Sequence, residues 1–98
     1  VRGEIDVRIR VRTFARLAEV FGAESEVTVE EGLGIPAVLE VIGGGGGERA
    51  RGLFDEEGKV HGYLIIVHNR VRVEHQDLAS ARLCDGDEIA ILPPLAGG

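Results

Sequence analysis

Cysteine and lysine are each present only once in this chain of 98 residues, and methionine and tryptophan are missing altogether. A single cysteine, Cys84, excludes an internal disulfide and any zinc cage built from several thiolates. No apolar run approaches the roughly 18 residues of a membrane-spanning helix. No basic-then-apolar leader opens the sequence, and Val1 is not an obvious translation start. Positive charge is also scarce: 11 Lys+Arg stand against 17 Asp+Glu, a net charge of −6. That balance argues against a general nucleic-acid binder, whose affinity rests on neutralising phosphates. What is present suffices for one small core, because the hydrophobic fraction of 44% lies in the globular range. The expectation is one domain over residues 1–98, without nucleic acid or membrane as partner, and cytoplasmic.

Local patterning gives the elements. Ile5, Val7, Ile9 and Val11 alternate with Asp6, Arg8, Arg10 and Arg12, which predicts a half-buried strand with an arginine stripe on its wet face. Phe14, Leu17, Ala18 and Phe21 follow helical spacing, with Thr13 as the expected N-cap and Gly22 as the stop. Residues 26–30 alternate again and predict a second strand. Ile35, Val38, Leu39 and Ile42 form the stripe of a main helix, with Pro36 in its first turn. Gly43 to Gly47 are five consecutive glycines, expected to be a flexible loop whose far end is anchored by Leu53-Phe54. Asp55 to Gly58 is a polar turn. Residues 62–68 are a continuous apolar run, predicted to be a buried strand. Asn69-Arg70 then turns the chain into Val71-Arg72-Val73, although arginine replaces the glycine such a turn favours. Asp85-Gly86-Asp87 is a turn, and residues 88–92 form the last strand, ended by Pro93-Pro94. Strands on both sides of a main helix predict an α+β layer: one mixed sheet of about five strands, covered by one main helix and one short helix.

The usual sites of chemistry are weak. His61, His68 and His75 lack the spacing of a metal site and read as ordinary surface or edge histidines. Cys84 has no partner cysteine and reads as a small residue packed beside the last strand. The glycine run lacks the lysine and the strand-to-helix setting of a phosphate loop. Glu30-Glu31 and Glu56-Glu57 sit at turns, where exposed carboxylates gain no catalytic tuning. The arginine stripe is expected to pair with strand acids such as Glu26, Glu30 or Glu88.

The carboxyl end is different. A buried strand feeds Pro93-Pro94, and these feed Leu95-Ala96-Gly97-Gly98. The six residues 93–98 could extend roughly 20 Å as a flexible arm whose base is stiffened by proline. Gly97 and Gly98 lack a Cβ, so this end fits a slot too narrow for other residues. Such an arm is built to deliver a carboxylate into another protein's active site.

Here the sequence resembles the ubiquitin-like β-grasp sulfur carriers, among them the small subunit of molybdopterin synthase and the archaeal ubiquitin-like small modifiers. The resemblance rests on Phe14-Ala15-Arg16-Leu17-Ala18-Glu19-Val20-Phe21-Gly22 and on Asp85-Gly86-Asp87-Glu88 leading through the last strand to Pro-Pro and the terminal Gly97-Gly98. Phe54-Asp55-Glu56-Glu57-Gly58 also resembles a loop of the archaeal modifiers. The resemblance implies a β-grasp fold and a non-catalytic carrier. In that group an E1-like adenylating enzyme uses ATP and magnesium to activate the carboxylate of Gly98, with Leu95, Ala96 and Gly97 recognised as the tail. The product is a thiocarboxylate serving molybdopterin or tRNA thiolation, or an isopeptide bond to a lysine of a target protein. A molybdopterin synthase large subunit or a sulfurtransferase would be the further partner. No cofactor or metal is expected on the chain itself. The alternative is a β-grasp interaction module whose tail is never activated.

Overall fold

The computed structural model describes residues 5–44 and 46–93. In chain order the elements are β1 (Asp6–Thr13), α1 (Arg16–Phe21), β2 (Glu24–Glu30), α2 (Ile35–Ile42), α3 (Gly47–Leu53), β3 (Ile65–His68), β4 (Val71–Val73), a 3-10 turn (His75–Asp77) and β5 (Glu88–Leu92). The strands form one mixed sheet in the order β2-β1-β5-β3-β4. The only parallel pair among these strands is β1 with β5, so the last strand in sequence fills the centre of the sheet. This is the mixed sheet that the element order implied, in the β-grasp arrangement that the resemblance implied.

Alternation in the sequence becomes the two faces of the sheet. Val7, Ile9 and Val11 of β1 point to the helical side together with Val27, Val29, Ile66, Ile89 and Ile91, all buried. Helix α2 lies against them through Ile35, Val38, Leu39 and Ile42, the predicted stripe. Gly34 opens α2 because a Cβ there would come within 2.5 Å of the Ala79 carbonyl oxygen. That close approach fastens the start of the helix to the segment after the 3-10 turn, where the Ile35 N–H donates to the Leu78 carbonyl.

Several expectations need correction. The segment after the glycines is not a flexible loop: Gly47–Leu53 is a helix. Glu48, Arg49, Ala50 and Arg51 are good helix formers, and Leu53 is fully buried as its anchor. Arg49 secures α3 by donating to the Ile42 carbonyl at the end of α2 and to the Val20 carbonyl near the end of α1, with its guanidinium 5.1 Å from the centre of the Phe21 ring. The sheet is therefore covered by three helices rather than two. Thr13 is not an N-cap. It ends β1, and its hydroxyl donates to the Gly22 carbonyl while its N–H donates to that of Ala23, which closes the α1 excursion at its neck. Ala15 takes the N-cap place at φ 57°, a backbone conformation that favours glycine. β3 begins at Ile65, because Gly62 and Tyr63 form a turn. Cys84 is exposed rather than packed. Asn69 and Arg70 do form the hairpin turn, and both have positive φ, at 50° and 74°.

Candidate functional site

β5 carries the chain toward the predicted tail, and its two ends are built differently. At its start, the 84–87 turn is tied on every side. Gly86 N–H donates to the Arg8 carbonyl, and Arg8 N–H donates to Asp85 Oδ1 at 2.7 Å. Arg10 N–H donates to the Asp87 carbonyl. Asp87 Oδ2 accepts from the Cys84 N–H at 2.8 Å and from His68 Nε2 at 2.7 Å. Glu88 and Asn69 exchange bonds, through Asn69 Oδ1 and the Asn69 N–H. Burial of the Asp87 carboxyl pushes its pKa up, but the bonds from Asn69, His68 and Cys84 outweigh burial and hold it below the ordinary value of 3.8.

At its far end β5 runs out between two neighbours. Ile91 pairs with Thr13 of β1, and Leu92 pairs with Ile65 of β3. The chain therefore leaves the sheet beside Phe14-Ala15 on one flank and the segment that leads into β3 on the other. Ile89 and Ile91 are fully buried beneath the helices, whereas Ala90 and Leu92 lie on the open face and are half-buried. Val67 and Ile65 are paired with them, so a small apolar strip leads along the open face to Leu92 and Pro93. Arg12 borders the strip, within 3.6 Å of Glu24 and 3.4 Å of Glu88, with its guanidinium 5.3 Å from the Phe14 ring.

The predicted tail residues Leu95, Ala96, Gly97 and Gly98 lie outside the described residues, as does Pro94. The other sequence-flagged groups are structural. His61 Nε2 bonds the Arg51 carbonyl and its ring stacks on Tyr63, while His75 Nε2 bonds the Leu64 carbonyl. Within the arginine stripe, Arg12 pairs with Glu88 as expected, but Glu24 and Asp85 take the places foreseen for Glu26 and Glu30. These pairs are largely exposed and contribute at most about 1 kcal/mol each. Among the described residues no three His, Cys, Asp or Glu side chains come together as a metal site, and no helix is long and apolar enough to cross a membrane. The His68–Asp87 pair was not foreseen. The Asp-Gly-Asp turn was visible in sequence, but nothing there marked His68 as its partner.

The fold, with β5 at the centre of the mixed sheet, is that of the ubiquitin-like small modifiers and sulfur carriers. More narrowly, the ThiS family model matches residues 11–98, and the chain belongs to the ThiS family. Small archaeal modifier protein 3 of Haloferax volcanii is 30% identical over 93 residues, which is 94% of this chain and all of that protein. The crystal structure of SAMP1 from Haloferax volcanii superposes with a TM-score of 0.81 at 25% identity, covering 93% of this chain and 99% of that one. A chain from the complex of subunits 1 and 2 of the molybdopterin-converting factor of Helicobacter pylori shares the fold, with a TM-score of 0.54 at 22% identity, covering 94% of this chain and 100% of that one.

Proposed function

We propose that this protein is a carrier or modifier whose Gly98 carboxylate is made reactive by an E1-like partner. A carboxylate resists nucleophiles because its charge repels them and oxide is a poor leaving group. In the proposed step a Gly98 oxygen attacks the α-phosphorus of ATP, with magnesium on the phosphates, and pyrophosphate departs. The resulting acyl adenylate has lost the charge and gained AMP as its leaving group. Attack by a partner persulfide expels AMP and leaves an acyl disulfide; a second thiol of the partner then attacks the partner's sulfur, so that the thiocarboxylate departs and the two partner sulfurs end as a disulfide. Attack by a lysine amine of a target protein leaves an isopeptide bond. The catalytic groups belong to the partner; this chain supplies the carboxylate and the surface from which it departs.

The observation that carries this reading is the architecture of β5. The central strand is buried through Ile89 and Ile91 and tied down at its start. A rigid strand of that kind aims Pro93 onward into Leu95-Ala96-Gly97-Gly98. The apolar strip of Ile65, Val67, Ala90 and Leu92 gives a docking partner a surface beside the departing chain. The Helicobacter pylori neighbour is seen in complex with a second subunit. This supports a molybdopterin synthase large subunit as one such partner, with a sulfurtransferase as the counterpart in tRNA thiolation. We place the chemistry in the cytoplasm, where ATP and reduced thiols are available.

The test incubates the full chain with the E1-like enzyme of its own organism, Mg-ATP and labelled pyrophosphate. ATP–pyrophosphate exchange that vanishes on deletion of Gly97-Gly98, with an unchanged melting curve, supports the reading. Absence of exchange with the intact chain overturns it and leaves a non-activated interaction module. Intact mass of protein purified from its own cells then separates the products. A sulfur-for-oxygen exchange on the free chain marks a carrier, and adducts on lysines of other proteins mark a modifier.

A further inference from the structure

β2 is an edge strand, bonded to β1 on one side only. Thr13 N–H donates to the Ala23 carbonyl and Glu31 N–H to the Ile5 carbonyl, so in this antiparallel register the odd-numbered residues of β2 exchange bonds with β1. The backbone groups of Glu24, Glu26 and Thr28 therefore face outward, and among the described residues none of them bonds another backbone group. The two sides of this edge differ. Toward the helices, Val27 and Val29 are buried and α2 packs alongside. Pro36 and Glu40 of α2 face the Lys59 loop across a groove. A helix turns about 100° per residue, so Ala37 and Val41 lie on its other flank, the one beside β2. Val41 is 53% exposed, and Leu33, in the link from β2 to α2, is 46% exposed. On the open face, Glu24, Glu26 and Glu30 form an exposed acidic row.

β1 demonstrates what kind of strand suits β2. It sets Val7, Ile9 and Val11 toward the helices, and Arg8, Arg10 and Arg12 on the open face opposite Thr28, Glu26 and Glu24. Arg12 comes within 3.6 Å of Glu24. The outer side of β2 presents the same two faces and an unused ladder. We propose that this edge binds an extended segment of a partner protein in which aliphatic residues alternate with arginine or lysine. The segment adds a strand beyond β2. Its backbone bonds Glu24, Glu26 and Thr28, its aliphatic side chains meet Val41 and Leu33, and its cations lie beside the glutamates. Charge selects this occupant over a second copy, because two β2 strands would set glutamates against glutamates. The other sheet edge, β4, offers only the three residues Val71–Val73, and β1 is enclosed between β2 and β5. Since β1 also separates β2 from β5, a bound segment leaves the strip of Ile65, Val67, Ala90 and Leu92 clear. One partner can then be held at the edge while another works at the carboxyl end. No covalent step is involved, so the site stands whether or not Gly98 is activated.

The probe is an end-blocked peptide, Val-Arg-Ile-Arg-Val-Arg, titrated into the full chain. At a concentration about ten times its Kd, it should slow hydrogen exchange at the amides of Glu24, Glu26 and Thr28 about tenfold. A peptide of the same composition with its three arginines grouped at one end should bind about tenfold more weakly, having lost the alternation. Glu26→Lys replaces an attraction with a repulsion and should weaken binding about tenfold. Val41→Gln, which keeps a good helix former, should weaken it about fivefold. Both positions are exposed, so the melting curve should not move in either variant. Equal binding of the grouped peptide, an unchanged affinity in Glu26→Lys, or binding that leaves the three amides unprotected overturns the proposal. Protection of these amides that rises with protein concentration alone also overturns it, and assigns the edge to a second copy.

Discussion

β5 is only five residues long, and the molecule treats its two ends in opposite ways. The start is fastened by side chains from three directions: Asp85 to β1, Asp87 to His68 of β3, and Asn69 across to Glu88. The far end is held by strand pairing to Thr13 and Ile65, and next to it Ala15 sits in a conformation that alanine adopts at a cost. Polar fixation is concentrated where the strand must be anchored. Where the chain must leave, the surface is small, apolar and open to a partner. The proposed carrier role would use this asymmetry, since the strand is fixed at its start and leaves an apolar surface at its far end.

The comparison can be broken most strongly at the start of the strand. Asp87→Ala removes the acceptor of the Cys84 N–H at an exposed turn and that of the mostly buried His68 ring, and should cost about 1–3 kcal/mol in a denaturation experiment. Below the melting temperature the same variant should keep its ATP–pyrophosphate exchange rate, because the far end is untouched. A smaller effect comes from pH. The Asp87 carboxyl titrates below its ordinary value in the folded protein, so its contribution is full above 3.8 and is lost as pH falls through 3.8 and then through the lower folded value. Wild-type melting temperature should therefore drop steeply in that acid range, and the drop should be shallower in Asp87→Ala. Asp55 shifts in the same direction, held down chiefly by the backbone bond from Lys59, so some acid dependence should persist in the variant. The smallest change is expected at the far end and has the opposite sign. Ala15→Gly relieves the positive φ and should stabilise by about 1 kcal/mol, raising the melting temperature of a chain this size by roughly 4–8 °C.

The same contrast explains what could be read from the sequence. β1 and β5 were legible because burial on one face imposes alternation, and α2 was legible because Ile35, Val38, Leu39 and Ile42 repeat at the helical period. α3 was hidden because the glycines before it dominate that stretch, while its stability comes from Leu53 and from Arg49 reaching two distant carbonyls. The Thr13 hydroxyl could cap a helix or close a neck, and local sequence does not distinguish them. His68 and Asp87 are 19 residues apart, and only the pairing of β3 with β5 brings them together. The tail reading rests on composition, since Pro-Pro and Gly-Gly have direct backbone meaning, and residues 94–98 lie outside the described residues. The groove beside the Lys59 loop was not legible, because its walls come from α2, that loop and the segment after the 3-10 turn.

The position of β5 has one more consequence. It is the last of the described strands in chain order, yet it is the seam joining β2-β1 to β3-β4. A chain terminated before residue 88 would hold two half-sheets with nothing to unite them, and its unpaired β1 and β3 edges would mark it for degradation. Completion of the sheet therefore waits on this strand, a consequence of strand order alone.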